Sequence, residues 1–155
     1  MGSEISLRPV TSEDEGFLRL VYAEGRREEF AQVAWPAGML ETFLRQQFDA
    51  QRAHYTEGNY PGAEYTVIEL DGEPVGRLYV QRGGPETRVM EIGLVAAARG
   101  KGIGTKLLQG VLDEGRPVTI HVERHNPALR LYLRLGFQIV ADLGVYLQLR
   151  WAPVS

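Results

Sequence analysis

The segment Arg99-Gly100-Lys101-Gly102-Ile103-Gly104-Thr105 constrains this chain most, because it joins a strand pattern to a helix pattern through three glycines. Thr87 to Val95, just before it, reads as a strand. After it, Ile103, Leu107, Leu108, Val111 and Leu112 recur at helical spacing until Gly115 and Pro117 stop the helix. Val118 to Val122 is strand-like again. A strand, a helix of about a dozen residues and a strand predict a right-handed crossover between parallel neighbours. Glycines remove Cβ atoms, so the loop can curl and its amides can converge on an anion. The helix start behind them adds about half a positive charge. Arg99, Lys101 and Lys106 supplement that field with no acid among them, in a chain whose formal net charge is −3. Such a local positive spot points to one anionic ligand and argues against a nucleic-acid partner.

Two nucleotide loops fail on spacing. A Walker A loop needs Gly-Lys followed by Ser or Thr, and here Gly104 precedes Thr105 and Lys106 in the wrong order. The dinucleotide fingerprint needs two residues between its second and third glycines, and Gly102 and Gly104 have one. A tight turn that binds nothing remains open on the loop alone.

The rest of the chain shows no repeat, low-complexity run or linker, so residues 1–155 read as one domain. Ile5 to Thr11 alternates as a strand, and Ser12 with Glu15 forms a capping box for a helix carrying Phe17, Leu18, Val21 and Tyr22. A second helix opens near Trp35-Pro36, with Leu40, Phe43, Leu44, Gln47 and Phe48 on one face. Tyr55 to Gly62 reads as a loop. Glu64 to Leu70, the turn Asp71-Gly72, Pro74 to Gln81, the turn Gly83-Gly84-Pro85 and the strand from Thr87 predict an antiparallel meander. Asn126-Pro127 caps a helix that Gly136 ends, and Phe137 to Ala141 and Val145 to Arg150 are final strands. The expected class is mixed α/β with one central sheet.

Arg-Gly-Lys-Gly-Ile-Gly resembles the coenzyme A pyrophosphate motif of the GCN5-related N-acetyltransferases, Gln/Arg-x-x-Gly-x-Gly/Ala. Asn126-Pro-Ala-Leu-Arg-Leu-Tyr132-Leu-Arg-Leu-Gly136-Phe137 is similar to that family's other cofactor motif, and the two occur in the family's order, one strand apart. The resemblance is strong over 87–142 and extends over 1–86 only as an order of elements. It implies a mixed sheet of about six to seven strands with about four helices. It implies that 1–86 supplies the acceptor side, 87–142 the acetyl-CoA core and 143–155 a C-terminal strand. It also implies that the backbone around Leu94 and Val95 pairs with the pantetheine arm, and that Arg99, Gly100, Lys101, Gly102, Ile103, Gly104 and Thr105 hold the pyrophosphate. Asn126 and Tyr132 would complete the cofactor site. Alone, Asn126 could be a simple helix cap, and Tyr132 a core residue beside Leu129 and Leu133.

The implied activity is direct transfer of acetyl from acetyl-CoA to a primary amine on a small molecule or peptide. The alternative is a non-catalytic coenzyme A-binding module of the same fold. Transfer needs a donor to the carbonyl oxygen, for which the family uses an amide near Leu94. It needs a proton or hydrogen bond for the departing thiolate. A tyrosine of pKa near 10 is protonated at pH 7, which suits Tyr132 as general acid. It also needs a neutral amine, and a lysine-type amine is neutral in only one molecule in about 2,500 at pH 7. His121 is a candidate base, with Glu91, Glu123 and a water chain as rivals. His121 and Glu123 share a strand face by period two, whereas His125 lies off that register. His54 reads as structural.

On the acceptor side, roughly Glu13 to Gly62, the acids Glu24, Glu28 and Glu29 and the aromatics Trp35, Tyr55 and Tyr60 would suit a cationic amine. The alternative is a solvated face where those acids mix with Arg26 and Arg27. The chain has no cysteine, which removes disulfides, thiolate metal sites and a cysteine nucleophile. No compact ligand set suggests a metal. No segment reaches the roughly 20 apolar residues of a membrane helix. Met1-Gly2 with Ser6 matches a myristoylation signal only formally, since Ile5 already begins a strand. The expected location is cytoplasmic with no membrane partner, and a homodimer is compatible with the sequence.

Overall fold

The crossover around the glycine loop organises the fold. The computed structural model describes residues 4–30, 35–57, 60–124 and 126–153. The side chains of residues 27–30 and 54–57 lie outside that description, and with them Glu28, Glu29, His54 and Tyr55; so do Gly2 and His125.

Seven strands form one sheet: β1 (Ile5–Pro9), β2 (Ala63–Leu70), β3 (Glu73–Gln81), β4 (Thr87–Leu94), β5 (Val118–Glu123), β6 (Gln138–Asp142) and β7 (Tyr146–Trp151). Their order across the sheet is β1-β2-β3-β4-β5-β7-β6. The meander from β1 to β4 is antiparallel, β4 and β5 are parallel, and β7 inserts antiparallel between β5 and β6. Four α-helices accompany it: α1 (Glu15–Phe30), α2 (Met39–Glu57), α3 (Ile103–Leu112) and α4 (Leu129–Arg134).

The sheet buries both faces. On one, α3 drives Ile103, Leu108, Val111 and Leu112 into a core with Val89, Val118, Ile120, Phe137 and Leu149. The spacing of those four residues puts them on one helical stripe, and each buried aliphatic side chain is worth about 2 kcal/mol. On the other face, Leu18 and Tyr22 of α1 and Phe48 of α2 close over Val67.

Three local expectations are corrected. The first helix is capped by Thr11 with Asp14, ahead of the expected Ser12 and Glu15, and a 3-10 turn over Ser12–Asp14 precedes α1. Arg8 on β1 decides this: its guanidinium takes both Asp14 oxygens at 2.8 and 2.9 Å, while the Thr11 amide donates to Asp14 at 2.7 Å. The second helix begins at Met39, after a turn at Ala37-Gly38. It continues through Glu57, so Tyr55 to Glu57 are helical where a loop was expected. Phe48 anchors that helix on the core.

Gly76 of β3 lies opposite Leu94 of β4. A Cβ at Gly76 would fall 2.2 Å from the carbonyl oxygen of Gly93 and 2.8 Å from a Leu94 methyl. Gly76→Ala should therefore wedge β3 from β4 and lower unfolding free energy by about 1–3 kcal/mol, read by chemical denaturation.

Candidate active site

β4 and β5 run together for only three residue pairs, Thr87 with Val118, Arg88 with Thr119 and Val89 with Ile120. Beyond them β4 continues to Leu94 and β5 to Glu123 without pairing, so the sheet parts into a V. The register of β3 on β4 shifts at the same place. Tyr79 pairs with Glu91 and Val80 with Val89, leaving Met90 as a bulge.

The bulge reverses which side chains face which way. Strict alternation would put Val89 and Glu91 on one face. Instead Ile92 and Leu94 join Val89 against the α3 core, and Glu91 and Gly93 turn toward α1 and α2. The position of a Gly93 Cβ lies 3.2 Å from Val21 on α1, and Glu91 accepts a 2.9 Å hydrogen bond from Gln51 on α2.

The bulge thus delivers Glu91 to a cleft of about 550 Å³ whose walls include Tyr22, Arg26, Arg77, Arg88, Glu91, His121, Glu123 and Tyr132. His121 and Glu123 share this face as their spacing predicts. Tyr132 belongs to the opposite core, where it is 5% exposed and its ring meets Phe137 at 6.0 Å. It lines the cleft because the parted strands leave an opening between the two faces.

The main chain along the V leaves donors unpaired. Val95 donates its amide to Val75 at 2.8 Å, so in an antiparallel ladder Leu94 and Ile92 turn theirs away from β3, toward the gap. Behind the strand, Gly100 and Gly102 take φ of 76° and 79°, the left-handed region where only glycine is at ease. Cβ atoms built at Gly100, Gly102 or Gly104 would find no protein atom within 4 Å. The first bond into α3 runs from Lys106 to Gly102 at 3.0 Å, so the amides of Ile103, Gly104 and Thr105 precede the helical ladder. An open, left-handed turn ending in free helix amides fits an anion such as a diphosphate.

These features agree with a family comparison, in which the model of the acetyltransferase (GNAT) family matches residues 24–137. The chain belongs to that family. A mycothiol acetyltransferase of Thermobifida fusca (strain YX) is 36% identical over 88 residues, covering 56% of this chain and 24% of that protein. This chain thus matches about a quarter of that relative's length. A 5-NmdU N-acetyltransferase of Pseudomonas phage PaMx11 is 29% identical over 120 residues, 74% of this chain and 82% of that protein. The fold matches PaiA N-acetyltransferase from Thermoplasma acidophilum, solved with coenzyme A, at a TM-score of 0.73 and 16% identity, over 97% of this chain and 99% of that one.

Within this GNAT chain the remaining candidates divide. α4 starts at Leu129 with Ala128 as its N-cap, later than the expected Asn126-Pro127 cap; Asn126 closes the turn before it, where its Oδ1 accepts from the Ala128 amide at 2.8 Å and its carbonyl from Leu129 at 3.0 Å. Arg99 folds back so that Nε donates to the Leu94 carbonyl at 3.2 Å. Lys101, Thr105 and Lys106 are exposed. Glu24 is spent on the Ala96 amide at 2.8 Å, and neither it, Trp35 nor Tyr60 lines the cleft. Glu28, Glu29 and Tyr55 lie outside the described side chains; among the described residues the cleft carries Arg26, Arg77 and Arg88 beside Glu91 and Glu123. Arg26 pairs with Glu123, and Arg77 approaches Glu91 at 3.5 Å while lying over the rings of Tyr22 and Tyr79. Sequence patterning did not single out Arg77, Arg88 or Gln51, and it placed Arg26 only on a solvated face. The signal available was an arginine inside strands β3 and β4, where burial of a charge demands a partner or a purpose.

Among the described residues no group of three His, Asp or Glu side chains could hold a metal. None of the described helices is long and apolar enough to cross a membrane.

Burial foremost, and then the charge of Glu91, pushes the Tyr132 phenol up to about 12. Burial foremost, and then Arg88, holds the His121 imidazole below its ordinary value of 6.5. His121 is therefore neutral at pH 7 and has a lone pair to offer. In an NMR titration its midpoint should fall below 6.5, and Arg88→Met should move it part of the way back. An unmoved midpoint would place Arg88 too far away to act on the imidazole.

Proposed function

We propose that this chain is an N-acetyltransferase that carries acetyl from acetyl-CoA directly to a primary amine in a ternary complex. Residues 87–142 would hold the cofactor and 1–86 shape the acceptor side of a single domain. One observation carries the reading: β4 parts from β5 in front of an open glycine turn, and Tyr132 enters the gap.

In this mechanism the pyrophosphate rests on the amides between Gly100 and Thr105. The pantetheine arm lies along the unpaired edge of Ile92 and Leu94. The Leu94 amide, aimed into the gap, stabilises the carbonyl oxygen as charge develops. The acceptor enters from the side of α1 and α2 in its neutral form, one ammonium proton having left to solvent. The amine nitrogen bonds to the acetyl carbon, which acidifies its remaining N–H; His121 takes that proton, and the carbon–sulfur bond breaks to leave the amide and the thiolate.

Tyr132 donates a hydrogen bond to the departing sulfur. Its phenol near 12 stands above a thiol near 8.5, so complete proton transfer would run uphill by about 5 kcal/mol. A strong hydrogen bond to the thiolate, with the sulfur protonated later by solvent, avoids that step. Burial foremost, and then the charge of Glu91, which Gln51 and Arg77 hold in place, keeps the phenol from ionising.

Tyr132→Phe should lower kcat by about 100-fold while changing coenzyme A affinity much less, as steady-state kinetics and calorimetry would read. Equal turnover would remove Tyr132 from the mechanism. Gly104→Val places a side chain over the turn where no protein atom is near, so the fold should tolerate it. Coenzyme A affinity should fall by about 10- to 100-fold, the loss expected when a charged ligand forfeits one or two amide bonds. Unchanged affinity would move the pyrophosphate elsewhere.

A further inference from the structure

Among the described residues, the charges facing the cleft do not balance. Its walls carry Arg26, Arg77, Arg88, Glu91, Glu123 and the neutral His121. Each glutamate is engaged by an arginine: Glu123 by Arg26 and Glu91 by Arg77. Arg88 is left over. Among the described residues it has no acidic partner, and its Nε is enclosed with no acceptor. An uncompensated guanidinium in a half-dry cleft is costly to keep, and a ligand anion would relieve it.

The place of Arg88 also matters. It sits opposite Thr119 in the last stretch where β4 and β5 are still paired, at the closed end of the V. Glu91 and His121 lie beyond the parting. His121 is two residues past Thr119 on the same face, so about 7 Å of backbone separates the two levels. A small acceptor lying between them would have its anion at the closed end and its amine near His121.

Resting on the acetyltransferase reading, we propose that Arg88 seats an anionic oxygen group of the acceptor. The substrate is then an amine carrying a carboxylate or phosphate a few bonds from its nitrogen. A guanidinium can offer such a group two parallel N–H donors, which fixes orientation as well as charge. The two paired arginines are excluded from that role by their own partners.

Matched acceptors test this. An amino acid is compared with its amide, and phosphoethanolamine with ethanolamine, each with acetyl-CoA and thiol release as readout. The wild-type protein should favour the anionic member of one pair, and which pair responds distinguishes carboxylate from phosphate. Arg88→Gln should reduce that anionic-to-neutral ratio of kcat/KM by about 10- to 100-fold, and Arg88→Lys should reduce it less. A ratio taken on one preparation does not depend on its folded fraction. Preference for the neutral members, or a ratio that Arg88→Gln leaves alone, overturns the proposal while acetyl transfer itself stands. So does a panel in which no anionic amine is acetylated or raises the Tm in the presence of coenzyme A. Failure of coenzyme A to bind at all overturns the acetyltransferase reading instead.

Discussion

The parting of β4 from β5 is the constraint on which the rest depends. A parallel pair normally saturates its main chain, and here it is released after three residue pairs. The released amides and carbonyls need a partner, and an extended ligand can supply it as a strand would. The same gap opens a passage between the two faces of the sheet. Through it a tyrosine from the α3 and α4 side reaches a cleft built by α1 and α2.

The bulge at Met90 makes that opening chemically useful. One extra residue in β4 exchanges the faces of everything after it. Ile92 and Leu94 are thereby sent to the core and Glu91 into the cleft. Without the bulge, the carboxylate would be driven into an apolar core, and Ile92 and Leu94 would turn toward α1, α2 and the cleft. Arg77, 5% exposed and enclosed by two aromatic rings, then holds Glu91 from below.

Much of this architecture was legible in the sequence, because local patterns and tertiary structure agree there. The glycine turn, the helix over Ile103–Leu112 and the parallel crossover all follow from periodicity and from residues with distinctive backbone behaviour. The capping box was misplaced by one residue because the deciding partner, Arg8, belongs to a different element. The end of α2 was misjudged because Tyr55 to Glu57 adjoin the glycines, asparagine and proline of the segment that follows. The character of the cleft was the largest departure. Its arginines come from α1, β3 and β4, and only the folded sheet shows which are neutralised and which is not. Charge pairing across distant segments leaves no periodic trace.

The position of β7 has a consequence for how such a chain matures. Residues 146–151 lie inside the sheet, between β5 and β6, although they follow both in sequence. Until they are synthesised, the outer edge of β5 is a bare ladder and β6 has nothing to join. The wall bearing His121 and Glu123 is consequently finished only after the glycine turn and the meander have been synthesised. A nascent chain halted before Tyr146 would present an adhesive strand edge, a natural target for chaperones or for mispairing with a neighbour.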